Sequence, residues 1–353
     1  MTEISNELLA NLVMEMNGKV NQRLAGIESF LLAMGQQIEK MAGDSRINEQ
    51  KENFRVLEER LMLGIGTMLS QANEAKDNIE DLRAVEFNVT SPANEDGIID
   101  WLVGRVAISE PRFIETGSGD FSHGKCRFLA ARRNWTGMLF DSDGPSTYYA
   151  RHNDFYRMHN LGIMEAHPTI ENIDDLINTN ECGGRLGLLS LSNGGTEYWV
   201  WEALTAAAPD LVAIGFNPVF GDRYAVTVPY NAHFTARDAH PTGYYHGASI
   251  AALKGLATEK GYEFLGTNSK GTTAFFVRAD SAASVLSAIK HKRAFPARAR
   301  NAADGFEELA SVGGISRLKL IGALPVINVT NGKRLALETL DQPYSEEWQR
   351  GMA

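Results

Sequence analysis

The sequence predicts an α/β protein, a sheet of five parallel strands closed by an antiparallel hairpin and preceded by a helical module. Three observations predict it. Short apolar runs alternate with helical stretches from residue 98 to about 216, the rhythm of a parallel sheet with helices on both faces. Two later runs, 262–267 and 273–278, are joined by Asn268-Ser269-Lys270-Gly271 and so pair antiparallel. Before residue 85, Leu and Met recur at alternating steps of three and four, the signature of an apolar seam on a helix.

Composition narrows the class. The chain has 353 residues, 44% hydrophobic and 22% charged, enough for a main domain with a buried core and at least one smaller module. A formal net charge of -10 argues against a nucleic-acid footprint. Two cysteines, Cys126 and Cys182, build neither a disulfide framework nor a Cys-rich metal site and suit a reducing compartment. No apolar stretch is long enough to span a bilayer, and the polar start is not that of a signal peptide, so a cytoplasmic protein is expected.

In chain order, Leu9, Leu12, Met16, Val20, Leu24, Ile27, Leu31, Met34, Ile38 and Met41 form a first helical seam, broken at Gly43-Asp44-Ser45. Phe54, Leu57, Leu61, Ile65, Met68, Ala72, Ala75, Ile79 and Leu82 form a second. Residues 1–85 thus read as a helical hairpin or coiled coil. It would serve as an arm joining copies of the chain into a homo-oligomer, or as a cap over the site; Met and Leu at helical spacing are core-like rather than lipid-binding. The turn-forming stretch 86–97 is the expected linker, 98–290 the α/β domain and 291–353 a C-terminal extension.

Within the domain, an amphipathic helix at 98–108 leads into a strand ending Arg112-Phe113-Ile114-Glu115-Thr116, followed by the turn Gly117-Ser118-Gly119-Asp120. A strand, a tight glycine turn and a helix N-terminus are how an α/β sheet presents a nucleotide-like ligand. A helix at 125–133 precedes a second strand at 136–141, again ending in an acid; then come a helix at 146–157, a strand at 161–166 and a helix at 169–177. A fourth strand, 186–191, runs into Ser192-Asn193-Gly194-Gly195 and a helix at 196–207, and 210–216 is the fifth. Residues 217–247 form a long loop, of the kind that is usually functional in a compact domain. A helix at 248–260 precedes the hairpin, and a further helix, a basic stretch (Lys292, Arg293, Arg298, Arg300) and weak strand signals complete the chain.

This order of elements resembles the Rossmann-like class I S-adenosylmethionine-dependent methyltransferases over roughly residues 97–280. Two segments, Glu197-Tyr198-Trp199-Val200-Trp201 and Tyr244-Tyr245-His246-Gly247-Ala248-Ser249, are similar to motifs of the FkbM-like group and related enzymes of polysaccharide and secondary metabolism. The resemblance implies S-adenosyl-L-methionine as cofactor. It implies Glu115, Gly117, Ser118 and Gly119 as the first cofactor motif, and Asp141 or Asp143 as the acid accepting both ribose hydroxyls. The plainer reading of Asp141 is a helix cap before Pro145. Phe121, Ser122 and His123 would lie near the cofactor's tail, and the turn at Ala166 and His167 would flank the adenine, His167 itself reading as a loop residue rather than a ligand contact.

The sequence departs from that group where the fourth strand ends. Relatives carry carboxylates there; this chain has Ser192 and Asn193, which could still hydrogen-bond the substrate or the amino-acid end of the cofactor. With no His-x-x-x-His spacing either, no metal site is expected. His246 is the first candidate base, since an unperturbed imidazole suits the task, and His123 the second. Tyr245 is a third catalytic candidate. With Tyr198, Tyr244, Trp199 and Trp201 it could wall a sulfonium, although Trp201 also reads as core. The function expected is methyl transfer to a hydroxyl or amine of a sugar or small natural product. The alternatives are an enzyme that uses the same cofactor without methylating, and an inactive ligand-binding or scaffold protein.

Overall fold

A computed structural model describes residues 45–296 and 315–352. The first expected helix lies outside the described residues, as do Arg298 and Arg300. The chain divides into two compact units, Met1–Gly64 and Ile65–Ala353. The second expected helix covers Ser45–Glu74 and stops there, short of Leu82. From Ile65 onward it belongs to the second unit. There Ser70 donates to Asp100 Oδ2 at 2.6 Å and Asn73 to the Val85 carbonyl at 2.8 Å. The face that packs is thus the small and polar one. Leu57, Leu61 and Met68, members of the expected apolar seam, are exposed.

Among its described residues the second unit has ten strands: β1 (Arg112–Thr116), β2 (Thr136–Asp141), β3 (Leu161–Glu165), β4 (Gly184–Leu191), β5 (Ala207–Gly215), β6 (Val226–Thr227), β7 (Tyr262–Thr267), β8 (Thr273–Arg278), β9 (Pro325–Asn328) and β10 (Lys333–Ala336). Seven make one sheet in the order β3-β2-β1-β4-β5-β8-β7. Neighbours among β1 to β5 are parallel, while β8 runs antiparallel to β5 and to β7. The order reverses between β1 and β4. Ligands bind outside the carboxyl ends of the strands at such a switch point.

Strand side chains alternate between the two faces. Phe113, Leu188, Leu211 and Phe275 pack with Ile98, Ile99 and Leu102 of the Glu95–Val103 helix. Their neighbours Ile114, Leu189, Val212 and Phe276 pack with Val200, Trp201, Leu253 and Leu256 of the helices Glu197–Ala203 and Ile250–Glu259. With apolar residues needed on both faces, the strands read as continuous apolar runs.

Three elements differ from expectation. The helix expected at 146–157 is two, Gly144–His152 and Asp154–Met158, because Asn153 ends the first and caps the second, accepting from Phe155 N at 2.8 Å. The helix expected at 169–177 begins only at Ile173, after a turn in which Asn172 Oδ1 accepts from Thr169 N. The tail is more ordered than weak signals suggest. β9 pairs antiparallel with β10 and with β6 of the long loop, so tail and loop share a three-stranded sheet. No helix among the described residues is long and apolar enough to cross a membrane.

Candidate functional site

The turn after β1 is the centre of the site. Gly117 and Gly119 adopt φ of +65° and +56°, which glycine alone adopts without strain. A β-carbon at Gly117 would run into the carbonyl oxygen of Ser192, so the turn is pressed against the end of β4. At Gly119 the corresponding direction is open, with no atom within 4 Å. Gly119 N donates to Asp141 Oδ2 at 2.6 Å, and Asp143 N to Asp141 Oδ1 at 2.8 Å. Asp141 is buried at the end of β2 and ties the glycine turn to the next strand.

The two candidate acids after β2 therefore have different places. Asp143 is the helix cap: its carboxylate accepts from Ser146 N at 3.1 Å, ahead of Pro145, and it is exposed. The cap reading considered for Asp141 belongs to Asp143.

Glu115 is buried, and its oxygens accept from Lys125 N at 2.8 Å and Cys126 N at 2.9 Å. It closes the entry to the Arg127–Arg133 helix, orienting the loop rather than reaching out of it. Burial raises its pKa, while the Lys125 charge and the two N–H donors pull it down. Ser118 Oγ is buried with no hydrogen-bond partner. Phe121 turns into the core at φ +64°, and Asp120 accepts from Ser122 N, so neither Phe121 nor Asp120 stands open. His123 is exposed on the surface.

At the end of β4, Ser192 N donates to Thr116 Oγ1 at 3.1 Å, and its own hydroxyl receives Lys125 Nζ. Asn193, expected to hydrogen-bond a ligand, gives its amide hydrogens to the turn. It is buried, and its amide donates to the Pro168 carbonyl and Thr196 Oγ1, both at 2.7 Å. A carboxylate that the sequence reading gave no role stands close by. Glu197, 6% exposed at the start of its helix, accepts from Asn193 N at 2.8 Å and Gly195 N at 3.1 Å with Oε1. Its Oε2 is buried and has no hydrogen-bond partner among the described residues. Glu197 thus brings a carboxylate from the following helix to the end of β4. Lys125, likewise unassigned from sequence, reaches this end from the β1 side. The acid-then-lysine spacing carried no known motif, and both residues become visible only when the ends of β1 and β4 meet.

The long loop folds over the same edge. Trp199 Nε1 donates to the Val228 carbonyl at 2.9 Å, Asn217 Nδ2 to the carbonyls of Tyr244 and His246 at 2.8 Å, and Gly247 N to the Gly195 carbonyl at 3.0 Å. His167, after β3, feels the charges of His233 and Asp141; burial and His233 lower its pKa while Asp141 opposes them.

Two catalytic candidates need correction. Tyr245 is buried and its hydroxyl donates to the Pro325 carbonyl, so it pins the loop to β9 instead of facing a substrate. Burial pushes His246 down to about 4, leaving an imidazole that stays neutral at pH 7 but is a weak base. Trp201 is core, its ring 5.3 Å from Phe276 and 5.7 Å from Tyr262. Tyr198 is buried too, its hydroxyl donating to Glu202 Oε1 at 3.4 Å. Among the described residues no group of three His, Cys, Asp or Glu side chains could hold a metal ion.

No protein-family model and no curated protein matches this chain. Among solved structures it is similar to the CurJ carbon methyltransferase, at 12% identity over 56% of this chain and 57% of that one, TM-score 0.35. A putative caffeoyl-CoA O-methyltransferase from Staphylococcus aureus gives 14% identity over 47% and 75%, TM-score 0.32. A SAM-dependent methyltransferase from Thiobacillus denitrificans, in complex with S-adenosyl-L-homocysteine, gives 10% over 54% and 69%, TM-score 0.30. The chain spans little more than half the length of CurJ, and the similarity is one of backbone trace over about half of this chain.

Proposed function

We propose that this chain binds S-adenosylmethionine at the carboxyl ends of β1, β2 and β4 and transfers its methyl group to a hydroxyl or amine of a small molecule or saccharide. The observation that carries the reading is the Asp141 carboxylate held on Gly119 N at 2.6 Å, at the switch point of a parallel sheet. The residues fit the ligand. Asp141 offers two oxygens to two neighbouring hydroxyls, Gly119 leaves open space, and the hydroxyls of Ser118 and Ser190 are buried there without partners.

The ligand would supply an activated methyl group on a sulfonium. The protein's part is to orient it and the acceptor, since in-line displacement depends mainly on proximity and alignment. Neither Tyr245 nor His246 provides a strong base. An acceptor that arrives as a neutral amine, or a hydroxyl whose proton is lost late, suits such a site best. The exposed Leu57, Leu61 and Met68 support an arm that joins copies of the chain. Leu57→Lys/Leu61→Lys should then lower the mass measured by sedimentation, and an unchanged mass argues against the arm.

Calorimetry with S-adenosylmethionine and S-adenosylhomocysteine tests binding. Mass spectrometry of the spent ligand after incubation with candidate acceptors tests the reaction. Adenosylhomocysteine means methyl transfer, whereas methylthioadenosine means that the aminobutyl part was consumed and rejects methylation.

A further inference from the structure

Side chains from three segments lie around the ends of β1 and β4. Lys125 sends its ammonium to the Ser192 hydroxyl, half-buried on both sides. Its charge acts on the carboxyl groups of both Glu115 and Glu197. These two acids are not equivalent. Glu115 accepts with each oxygen from a backbone N–H of its own loop, which fixes its carboxylate in that loop. Glu197 has one oxygen taken by the turn at Asn193 and Gly195, and the other buried and unpartnered. That oxygen lies towards Gly247, which has no side chain to satisfy it. A buried carboxylate oxygen without a donor is costly, and a ligand cation would relieve the cost.

We propose that Lys125, with Ser192, and Glu197 form a receptor for the α-amino-acid end of the ligand, Lys125 and Ser192 holding its carboxylate and Glu197 Oε2 its ammonium. On this assignment the ligand's ammonium is held from the helix after β4 and not by the acid of β1. A zwitterion is favoured over a simple anion, because the charge of Lys125, set on Ser192, also acts on the Glu197 carboxylate, whose second oxygen is unpartnered among the described residues. Charge-assisted hydrogen bonds of this kind are about twice as strong as neutral ones. The inference rests on the reading of the site as one for S-adenosylmethionine, and its test separates the two.

The experiment is calorimetry of the full chain with S-adenosylhomocysteine and with methylthioadenosine, which has the nucleoside but no amino-acid end. The wild type should bind S-adenosylhomocysteine more tightly. Lys125→Met and Glu197→Gln should each lose roughly tenfold or more in affinity for S-adenosylhomocysteine. Both should keep methylthioadenosine within about twofold, which also reports that they fold, and Lys125→Arg should restore most of the loss. Equal losses for both ligands, or unchanged S-adenosylhomocysteine affinity in both variants, overturn the proposal. A wild type that binds methylthioadenosine as tightly as S-adenosylhomocysteine overturns it while leaving the nucleoside site standing. A wild type that binds neither overturns the site itself.

Discussion

The carboxylate of Asp141, at the end of β2, holds the backbone N–H of Gly119, in the turn after β1, at 2.6 Å. One bond thus sets the shape of the glycine turn and places an acid beside its open face. Asp141→Ala should lose S-adenosylhomocysteine affinity by tenfold or more, since a buried carboxylate accepting from two hydroxyls is roughly 2 kcal/mol or more of binding. Asp143→Ala removes a helix cap, so it should cost about 1 kcal/mol of stability with little change in affinity. Calorimetry and urea melts on the two variants check the division of labour. The assignment fails if Asp143→Ala is the variant that loses affinity.

The two glycines of the turn should respond differently to a methyl group. Both sit at positive φ, so alanine costs about 1–2 kcal/mol in backbone strain alone at either position. At Gly117 the β-carbon also meets the Ser192 carbonyl, whereas at Gly119 it meets nothing within 4 Å. Gly117→Ala should therefore be clearly the more destabilising in urea denaturation. Equal midpoints would contradict the close approach of β1 and β4.

His246 gives the fold a pH dependence. Its pKa is pushed down from 6.5 to about 4 by burial, so the unfolded chain binds the extra proton first as pH falls. Stability from this residue is complete above pH 6.5 and is lost progressively as pH drops towards 4. Compared with His246→Asn, the wild type should lose roughly 2 kcal/mol more between pH 7 and pH 5. Taking the difference removes the opposite trend expected from Asp96, which burial raises to about 6. Parallel stability curves for the two proteins would show that the imidazole is solvated.

Asp210 anchors the other end of the sheet. It is fully buried in β5, 2.6 Å from Arg278 of β8, and accepts from Ser109 N at 2.6 Å. Asp210→Ala leaves the Arg278 guanidinium, only 12% exposed, without its buried partner, and should cost about 3–5 kcal/mol. Ligand affinity should hold at the opposite edge. A thermal melt close to that of the wild type would contradict this.

The sheet was legible because its strands must be apolar on both faces: Phe113-Ile114, Leu188-Leu189 and Phe275-Phe276 each supply one residue per side. The glycine turn was legible because Gly117 and Gly119 sit at a strand end followed by a helix. What stayed hidden depends on contacts across the chain. Nothing local says that Tyr245 is tied to Pro325, eighty residues on. Nothing local says that Asn193 is used up by Pro168 and Thr196. The residues that end β4 are neutral, yet Glu197 brings a carboxylate to the same end from the next helix. Residue type alone could not say that burial takes His246 out of the range of a useful base.

The most direct measurement of the central claim is a calorimetric titration of the full chain with S-adenosylhomocysteine. Saturable one-to-one binding that is weakened by Asp141→Ala is the predicted result. No heat of binding from S-adenosylhomocysteine or S-adenosylmethionine at millimolar concentration would contradict it.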